Sequence, residues 1–387
     1  MSASRRRVSV LGSTGSVGRK ALAVVERYPE RFELVALAAG SVSDALAAQI
    51  VRHRPSRVAV AAGDAAGFQA RLPAGTSVSS GPDAVAALAA LPKVDLVVNG
   101  IVGRAGLESS LAAAASGKIL GLANKETLVL AGELLMATAR RGGATVLPID
   151  SEHSGLFQAL DGRPPDHVRR LRITASGGPF RGRSAGDLVS VKPQEALQHP
   201  IWPMGPRITV DSATLFNKGL EVIETHHLFD MPLDRIGVWV HPQSVVHALV
   251  ELVDGSVIAQ LAAPDMMIPV QFAMSHPERW DCDAPGCSLP DWPQLTFEEP
   301  DMEAFPALPL VFRAGEMGGT TLAALNAADE VAVAAFLDGQ LGFTGIPRVL
   351  RAVLDAWTPA PADTLQAVVD ADRRGREMAV KAVLAGD

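Results

Sequence analysis

Cysteine is nearly absent from this chain, which has two, Cys282 and Cys287, among 387 residues. So few thiols exclude a disulfide framework and are typical of a protein in a reducing cytoplasm. His276 is nearby, so a zinc site is conceivable, but no fourth ligand or spaced partner pair accompanies it. The simpler interpretation is two ordinary thiols in a loop.

Long hydrophobic runs and an excess of positive charge are also lacking. Polar residues such as Ser116–Lys118 interrupt the Ala-rich stretches, so none reaches the roughly 20 apolar residues of a membrane span. Arg5–Arg7 stand directly before the first strand and leave no room for an apolar signal segment, so we expect a cytoplasmic protein. The net charge of -7 gives no global field for nucleic acid. An anionic substrate must then be bound by local cations and backbone N–H groups.

The strand and helix patterns predict an α/β protein of three domains, since the chain is too long for one ordinary core. Over residues 1–150, short β-branched strands alternate with helices, which predicts a Rossmann-like parallel sheet. Residues 151–285 predict an α+β catalytic domain with an irregular flap at about 177–205. A proline-rich linker, 286–311, then leads to a C-terminal helical bundle, 312–387.

Three glycines, Gly12, Gly15 and Gly18, lie where the first strand passes into a helix. Glycine lets the backbone approach a pyrophosphate, and the helix start offers free N–H groups, so the loop predicts dinucleotide binding. A plain tight turn is the alternative. The second strand ends at Gly40–Ser43 without Asp or Glu, which favours NADP over NAD, but no Arg or Lys is there to hold a 2′-phosphate.

Asp150 and Glu152 follow an apolar run that reads as a buried strand. Along an extended backbone alternate side chains share one side, so we expect both carboxylates to point the same way. Such an oxygen pair suits Mg²⁺ or Mn²⁺. The alternative is a solvated acidic turn.

A second polar stretch lies further along the chain. Asp211 and Ser212 are suited to cap a helix running through Ile223, and Asn217–Glu221 then presents amide, ammonium and carboxylate groups on one face. This face would serve a phosphate and a metal together; the alternative is a surface ion pair of little energetic value.

The ordered set of such motifs resembles the 1-deoxy-D-xylulose-5-phosphate reductoisomerase family over essentially the whole chain. Each motif alone is weak, but their order and spacing are specific. The motifs are Gly12-Ser-Thr-Gly-Ser-Val-Gly18, Leu122-Ala-Asn-Lys-Glu126, Pro148-Ile-Asp-Ser-Glu-His153, Ser176-Gly-Gly-Pro179, His199-Pro-Ile-Trp-Pro-Met-Gly205, Asp211-Ser-Ala-Thr214, Asn217-Lys-Gly-Leu-Glu221, His241-Pro-Gln-Ser-Val-Val-His247 and Thr321-Leu-Ala-Ala-Leu-Asn-Ala-Ala-Asp-Glu330.

The resemblance implies an NADPH- and metal-dependent enzyme of non-mevalonate isoprenoid precursor synthesis. It would rearrange 1-deoxy-D-xylulose 5-phosphate to an aldehyde and reduce that to 2-C-methyl-D-erythritol 4-phosphate. The family suggests a homodimer. Metal ligands would be Asp150, Glu152 and Glu221, and catalytic residues Lys125, Glu152 and His199.

The same resemblance assigns the binding residues. Those for the sugar phosphate would be Lys125, Ser151, Glu152, Ser176, His199, Ser212, Asn217, Lys218 and Glu221. Those for NADPH would be Thr14, Gly15, Ser16, Val17, Gly40, Ser41, Val42, Asn124, Glu126 and Gly205. Within the flap, Trp202 and Met204 would cover the reacting atoms.

Two features depart from the family pattern. Many members carry Lys or another polar residue at the positions of Ser41 and Val42, and Pro203 stands where a small polar residue is expected. Two rival functions remain: another NADP-dependent dehydrogenase, such as one acting on a sugar phosphate or semialdehyde, and a non-catalytic nucleotide-sensing module. A sensing module would be expected to lack one or more of the acidic metal ligands, whereas Asp150, Glu152 and Glu221 are all present.

Overall fold

A computed structural model describes residues 5–202 and 204–386. The strands in these ranges are β1 Arg6–Leu11, β2 Phe32–Ser41, β3 Arg57–Ala62, β4 Ser77–Ser80, β5 Leu96–Asn99, β6 Ile119–Leu122, β7 Thr145–Pro148, β8 Val168–Ala175, β9 Ile236–Val240, β10 Val246–Leu252 and β11 Val257–Leu261. The helices are α1 Ser16–Arg27, α2 Asp44–His53, α3 Ala65–Gln69, α4 Pro82–Ala89, α5 Leu107–Ala115, α6 Lys125–Gly142, α7 Ser151–Leu160, α8 Pro193–Ala196, α9 Pro206–Ala213, α10 Phe216–Phe229, α11 Met267–Ser275, α12 Ala307–Met317, α13 Thr321–Leu337, α14 Gly345–Ala356 and α15 Leu365–Leu384.

The first compact unit is built on a seven-stranded sheet in the order β4-β3-β2-β1-β5-β6-β7. All its strand pairs are parallel. Val8, Val10, Val97 and Val98 are fully buried, as expected for strands covered by helices on both faces. The predicted Rossmann-like parallel sheet is confirmed. The edge strand β4 was not predicted, because Ser77–Ser80 has little apolar character.

The strand order of this sheet reverses direction next to β1. The chain first builds outward through β2, β3 and β4, then returns to the other side of β1 with β5 and continues to β7. Parallel α/β sheets bind ligands beyond the carboxyl ends of their strands at such a switch point. Gly12 and Gly100, which follow β1 and β5, lie at this position.

The second compact unit contains a four-stranded sheet in the order β11-β10-β8-β9, in which only β8 and β9 run parallel. Helices α12 to α15 form the predicted helical region, where α13 packs against α14 and α15. Buried side chains such as Phe336, Leu350 and Val368 fill this core. The α+β and helical character of these regions is therefore as predicted.

The compact units do not follow the predicted domain boundaries. The first comprises the chain up to Thr127, Leu135–Ser154 and Asp265–Ala284, while the second comprises Leu128–Leu134, Gly155–Pro264 and the chain from Pro285 onward. Asp265–Ala284 joins the first unit because α11 packs against α1, β6 and β7. The predicted linker also differs, since α12 already begins at Ala307. The three-domain division by function stays a prediction.

None of the helices in the described ranges combines the length and the apolar composition of a membrane span.

Candidate functional site

The glycine loop between β1 and α1 is packed too tightly for side chains at two positions. Gly12 has φ +76°, and a Cβ there would lie 2.8 Å from the Gly100 carbonyl oxygen. A Cβ on Gly18 would lie 2.3 Å from the Gly12 oxygen. Gly15 and Ser16 are exposed at the start of α1, and the first turn of this helix carries no acidic residue. The loop thus presents a helix N-terminus suited to an anion.

The end of β2 lies beside this loop in the sheet. Gly12 and Ser13 both donate backbone hydrogen bonds to the Ala38 oxygen, at 2.9 and 2.8 Å. Beyond that point Gly40 and Ser41 are exposed and Val42 is half-buried. The structure thus presents Ser41 on the surface of the first unit, and its contact with NADPH stays a prediction.

Asn124 organises the carboxyl ends of β5 and β6. Its side-chain oxygen accepts from the Thr127 N–H at 3.0 Å and caps α6, while its amide donates to Ile101 O at 2.6 Å and Gly103 O at 2.9 Å. The same amide donates to Glu126 Oε2 at 3.1 Å. Asn124 and Glu126 are both buried. The two predicted nicotinamide-side residues therefore have fixed orientations.

Lys125 and Asp150 form the centre of what we call the acidic cluster: Lys125, Asp150, Ser151 and Glu152. Lys125 Nζ lies 2.5 Å from Asp150 Oδ2, and the two side chains are only 10% and 15% exposed. The Ser151 hydroxyl donates to Glu152 Oε2 at 2.5 Å. Asp150 and Glu152 offer carboxylate oxygens within 4.8 Å of each other. Within the first unit, the structure thus brings all four predicted residues together.

Asp150 and Glu152 are neighbours, but the prediction that strand alternation pairs them is wrong. The backbone is not extended here, because β7 ends at Pro148 and α7 begins at Ser151. Glu152 lies in the first turn of α7, and Asp150 stands just before it, where its carboxylate accepts from the Ser151 N–H at 3.0 Å. The strand-to-helix turn, not strand alternation, makes the carboxylates neighbours.

Sequence reasoning passed over His153. This side chain is fully buried, and its Nδ1 lies 3.9 Å from Asp150 Oδ2. The spacing of three residues could have indicated it, because residues i and i+3 share a face once this segment is helical.

Ser176 and His199 are joined in the second unit. His199 Nε2 lies 3.1 Å from Ser176 Oγ, and Ser176 Oγ also accepts from the Gly178 N–H at 3.2 Å. His199 Nδ1 accepts from two backbone N–H groups, of Ile201 at 3.2 Å and Trp202 at 2.8 Å. Nδ1 is therefore unprotonated and Nε2 carries the proton. Because Ser176 Oγ accepts both of its bonds, its own proton is available to an incoming acceptor.

The His199 ring is neutral under ordinary conditions. Burial, followed by the nearby positive charge of Lys218, lowers the pKa of His199 from 6.5 to about 4. A neutral ring matches the single Nε2 proton required by its hydrogen bonds. His199 is thus a hydrogen-bond donor to Ser176 rather than a cation.

The prediction that Asp211 and Ser212 cap a long helix is wrong. Two helices occupy this stretch: α9 ends at Ala213, and α10 begins at Phe216. They are separated where Leu215 takes φ +61°. Pro206 begins α9 at a position that proline favours, so Ser212 lies in a last turn and not at a helix start. The backbone of Ser212 instead contacts the Ser176–Gly178 turn, since a Cβ on Gly178 would lie 2.9 Å from Ser212 O.

The face of α10 predicted from spacing is present. Asn217 Nδ2 donates to Glu221 Oε1 at 2.6 Å, and the Lys218 ammonium also contacts the Glu221 carboxylate. Lys218 and Glu221 are buried and Asn217 is half-buried, so this is not a surface ion pair. We call Ser176, His199, Ser212, Asn217, Lys218 and Glu221 the polar cluster.

The predicted flap is largely irregular, as expected, with the short helix α8 inside it. Trp202 and Met204 are half-buried, and Gly205 is exposed where α9 begins. The expectation for Pro203 concerns a residue outside the described ranges.

Two further histidines of the motifs have structural partners. The His241 ring stacks on Phe297 with centroids 4.7 Å apart, and its Nδ1 lies 2.8 Å from Thr296 O. His247 Nε2 lies 3.1 Å from Ala262 O. These contacts match a packing role.

Three family models match the chain. Residues 8–132 match 1-deoxy-D-xylulose 5-phosphate reductoisomerase, residues 146–229 its C-terminal domain, and residues 261–378 the DXP reductoisomerase C-terminal domain.

Relatives of the same description extend over nearly the full length. The chain is 52% identical to the 1-deoxy-D-xylulose 5-phosphate reductoisomerase of Xanthomonas campestris pv. campestris (strain 8004), covering 98% of this chain and 97% of that protein. It is 50% identical to that of Anaeromyxobacter sp. (strain K), with the same coverage.

Solved structures agree with the sequence relationship. The Zymomonas mobilis reductoisomerase in complex with NADPH superposes with a TM-score of 0.94 at 40% identity, covering 98% of this chain and 99% of the other. A DOX-P reductoisomerase in complex with NADPH, fosmidomycin and magnesium gives 0.92 at 38% identity, covering 98% of each chain. Given family models that span most of its length and relatives of this identity, the chain belongs to the 1-deoxy-D-xylulose 5-phosphate reductoisomerase family.

Proposed function

We propose that this chain converts 1-deoxy-D-xylulose 5-phosphate to 2-C-methyl-D-erythritol 4-phosphate with NADPH and a divalent cation, in isoprenoid precursor synthesis. The observation that carries the proposal is the full-length relationship to reductoisomerases, among them a complex with NADPH, fosmidomycin and magnesium. The reaction has two stages, a rearrangement of the carbon skeleton to an aldehyde and a reduction of that aldehyde.

The proposed cation site uses Asp150, Glu152 and Glu221. The donor set fits Mg²⁺ or Mn²⁺, because these hard ions prefer carboxylate oxygens and Asp150 and Glu152 offer two within 4.8 Å of each other. When bound, the cation supplies Lewis acidity toward the substrate's carbonyl and neighbouring hydroxyl oxygens. We propose Glu221 as the third ligand.

Lys125 and Glu152 are the proposed proton carriers. Lys125 is held against Asp150 at 2.5 Å, where its ammonium is a donor to a substrate oxygen that gains negative charge. Glu152 accepts from Ser151, which keeps its carboxylate oriented as a proton acceptor. Ser151 thereby positions Glu152 and is also available to a sugar hydroxyl.

Within the polar cluster, Ser176, Ser212, Asn217 and Lys218 form the proposed phosphate site, and His199 would contact the sugar hydroxyls. Ser176 has a proton to donate because its oxygen already accepts from His199 and Gly178. Lys218 adds a positive charge, and Asn217 and Ser212 add an amide and a hydroxyl. Charge-assisted bonds of this kind suit a phosphate, even on a protein of net charge -7.

NADPH is proposed to bind at the switch point of the parallel sheet. Thr14, Gly15, Ser16 and Val17 would receive the pyrophosphate, and Gly40, Ser41 and Val42 the 2′-phosphorylated ribose, while Asn124, Glu126 and Gly205 would face the nicotinamide. The nicotinamide supplies the hydride. Trp202 and Met204 of the flap would exclude water from the reacting atoms.

The deciding experiment measures NADPH oxidation with the sugar phosphate, together with identification of the product. We expect 2-C-methyl-D-erythritol 4-phosphate, loss of turnover in EDTA, and recovery on addition of Mg²⁺ or Mn²⁺. Activity that persists in EDTA would contradict the cation's role. NADPH oxidation that gives an unrearranged alcohol would identify an ordinary dehydrogenase instead.

We also propose that the enzyme is a cytoplasmic homodimer. Its low cysteine content is typical of the reducing cytoplasm, and the family suggests the dimer. Light scattering of the purified chain tests the dimer: a mass near twice 40.5 kDa is expected, and a monomeric mass would contradict it.

A further inference from the structure

Helix α9 connects the flap segment to the polar cluster, and few interactions within the helix itself stabilise it. It spans only Pro206–Ala213, begins directly after Gly205, and has no side-chain cap at its N-terminus. Ser212 lies in its last turn. Because helices this short are unstable alone, the position of α9 depends on contacts with other elements.

Arg207 supplies such contacts through its whole guanidinium group. Nη1 lies 2.7 Å from Glu330 Oε1, and Nη2 lies 2.9 Å from Asn326 Oδ1 and 3.4 Å from Asp329 Oδ2. All three partners are on α13. Nε lies 3.5 Å from Asp211 Oδ2, one turn along α9 itself. A planar guanidinium can reach four groups at once, which an ammonium cannot.

Two of the carboxyl groups that Arg207 contacts, those of Asp211 and Asp329, are buried. Asp329 is fully buried and Asp211 is 3% exposed. Burial and the neighbouring Asp211 raise the pKa of Asp329 well above its ordinary value, and Arg207 opposes that rise. Removing Arg207 would leave the buried Asp211–Asp329 pair without its cationic partner, which is costly because the carboxyl groups stay buried. The packing of α9 on α13 is thus tied to Arg207.

The other side of α9 meets the polar cluster. The Ser212 carbonyl lies so close to Gly178 that a Cβ there would approach it to 2.9 Å. Gly178 in turn donates to Ser176. A shift of α9 away from α13 would therefore move Ser212 and disturb the turn that orients Ser176.

We infer that Arg207 is a positioning residue that couples the C-terminal helix α13 to binding of the substrate phosphate, by holding α9, and with it Ser212, against the Ser176–Gly178 turn. This inference deepens the proposed function and rests on it. It makes the C-terminal helical region a part of the substrate-binding apparatus and not only a structural extension.

The test replaces Arg207 by Met, with Arg376→Met as the matched control. Arg376 also contacts Glu330, and it pairs with Asp372 at 3.0 Å, but both partners lie on α13 and α15. We expect Arg207→Met to raise the KM for the sugar phosphate about tenfold or more and to change the KM for NADPH less than about twofold. The reason is that misplaced groups weaken the binding only of the ligand that they contact. Arg376→Met should leave both constants within about twofold.

Hydrogen exchange provides a readout that does not need the substrate. Arg207→Met should speed exchange of the backbone amides of residues 207–213, while those of α1 and β1 keep their wild-type rates. If Arg207→Met fails to fold, Arg207→Lys is used instead, and it should show the same pattern with a smaller change, since the ammonium reaches fewer partners.

An unchanged KM for the sugar phosphate in a folded Arg207 variant would overturn the inference, as would an equal rise in the Arg376 control. Failure of the proposed function is seen separately, as absence of turnover by the wild-type enzyme. In that case faster exchange in residues 207–213 still shows that Arg207 holds α9 in place.

Discussion

The acidic cluster of the first unit and the polar cluster of the second differ in charge and in origin. The acidic cluster sets two carboxylates against one ammonium, at turns that follow two adjacent strands, β6 and β7, of one parallel sheet. Apart from Glu221, the polar cluster offers hydroxyl, imidazole, amide and ammonium donors, and its residues come from four separate segments. The first set suits a cation, and the second suits an anion.

Under the proposed function, this difference would let a protein of net charge -7 bind both a cation and an anionic substrate. Within the acidic cluster the Lys125–Asp150 pair leaves the carboxylates in excess. Within the polar cluster the donors have defined orientations, most clearly at Ser176, whose oxygen already accepts two bonds. We propose that local donor geometry, not overall charge, determines which ligand each cluster accepts.

The largest effect should come from Glu221, the one carboxylate among the candidate residues of the polar cluster. Glu221→Gln should lower kcat/KM by ~100-fold or more, because loss of one charged ligand weakens a divalent-ion site strongly. NADPH affinity, measured by fluorescence titration, should stay within about twofold. Glu251→Gln is the control, since Glu251 pairs with Arg172 in the sheet of the same unit. Full turnover by Glu221→Gln would remove Glu221 from the proposed cation site.

A substitution of Lys218 tests whether the polar cluster binds the substrate phosphate. Lys218→Met should raise the KM for the sugar phosphate by roughly 10- to 100-fold, as expected when a charge-assisted bond is lost. The effect on kcat should be smaller, because the phosphate does not react. Lys192→Met is the control on the exposed start of α8. Equal KM values for both variants would exclude Lys218 from the phosphate site.

The glycine loop tests NADPH binding, which is proposed for the first unit and not for the polar cluster. Gly18→Ala should raise the KM for NADPH by about tenfold, because its Cβ would lie 2.3 Å from Gly12 O and must displace the loop. Gly286→Ala should change it less than about twofold, since nothing lies within 4 Å of a Cβ there and Gly286 is not a proposed NADPH contact. Steady-state kinetics at saturating sugar phosphate separate the two. A Gly18→Ala enzyme with wild-type NADPH affinity would contradict the assigned loop.

His199 should give the smallest effect. His199→Gln keeps a donor near Nε2, and His199→Asn keeps an acceptor near Nδ1, so Gln should preserve the KM for the sugar phosphate better, by a few-fold. The reverse order would show that the acceptor to Ile201 and Trp202 matters more than the donor to Ser176.

The lowered pKa of His199 also predicts a pH dependence of stability. The folded pKa of about 4 lies below the ordinary 6.5, so the unfolded chain binds the proton first as the pH falls. The stability due to the neutral ring is complete above about pH 6.5 and is lost as the pH falls toward 4. Urea unfolding at pH 7 and pH 5 should show a smaller loss for His199→Gln than for the wild type.

Much of the fold and many site residues could be predicted from the chain. β-branched strands, helices and the glycine loop predict the parallel sheet, and α13 begins and ends at the predicted residues. Spacing on α10 correctly predicts that Asn217 and Lys218 reach Glu221. Local patterns succeed here because the period of a helix fixes which side chains are neighbours.

The errors fall where tertiary packing overrides a local pattern. Strand alternation predicts that Asp150 and Glu152 share one side of an extended chain, but a helix begins at Ser151. Ser212 was expected at a helix start, but Leu215 turns the chain and ends the short α9 first. Strand β4 has too few apolar residues to be recognised alone, and it forms because β3 offers a free edge in register.

By itself the sequence determined the class of most elements, the ordered motifs and the family, because these depend on side-chain periodicity and on residue types at fixed spacing. Only the tertiary structure decided that His199 donates to Ser176 with a neutral ring, that α11 packs on the first sheet, and that Arg207 joins α9 to α13. These contacts link residues distant in sequence, and their energies depend on burial, which no local pattern encodes.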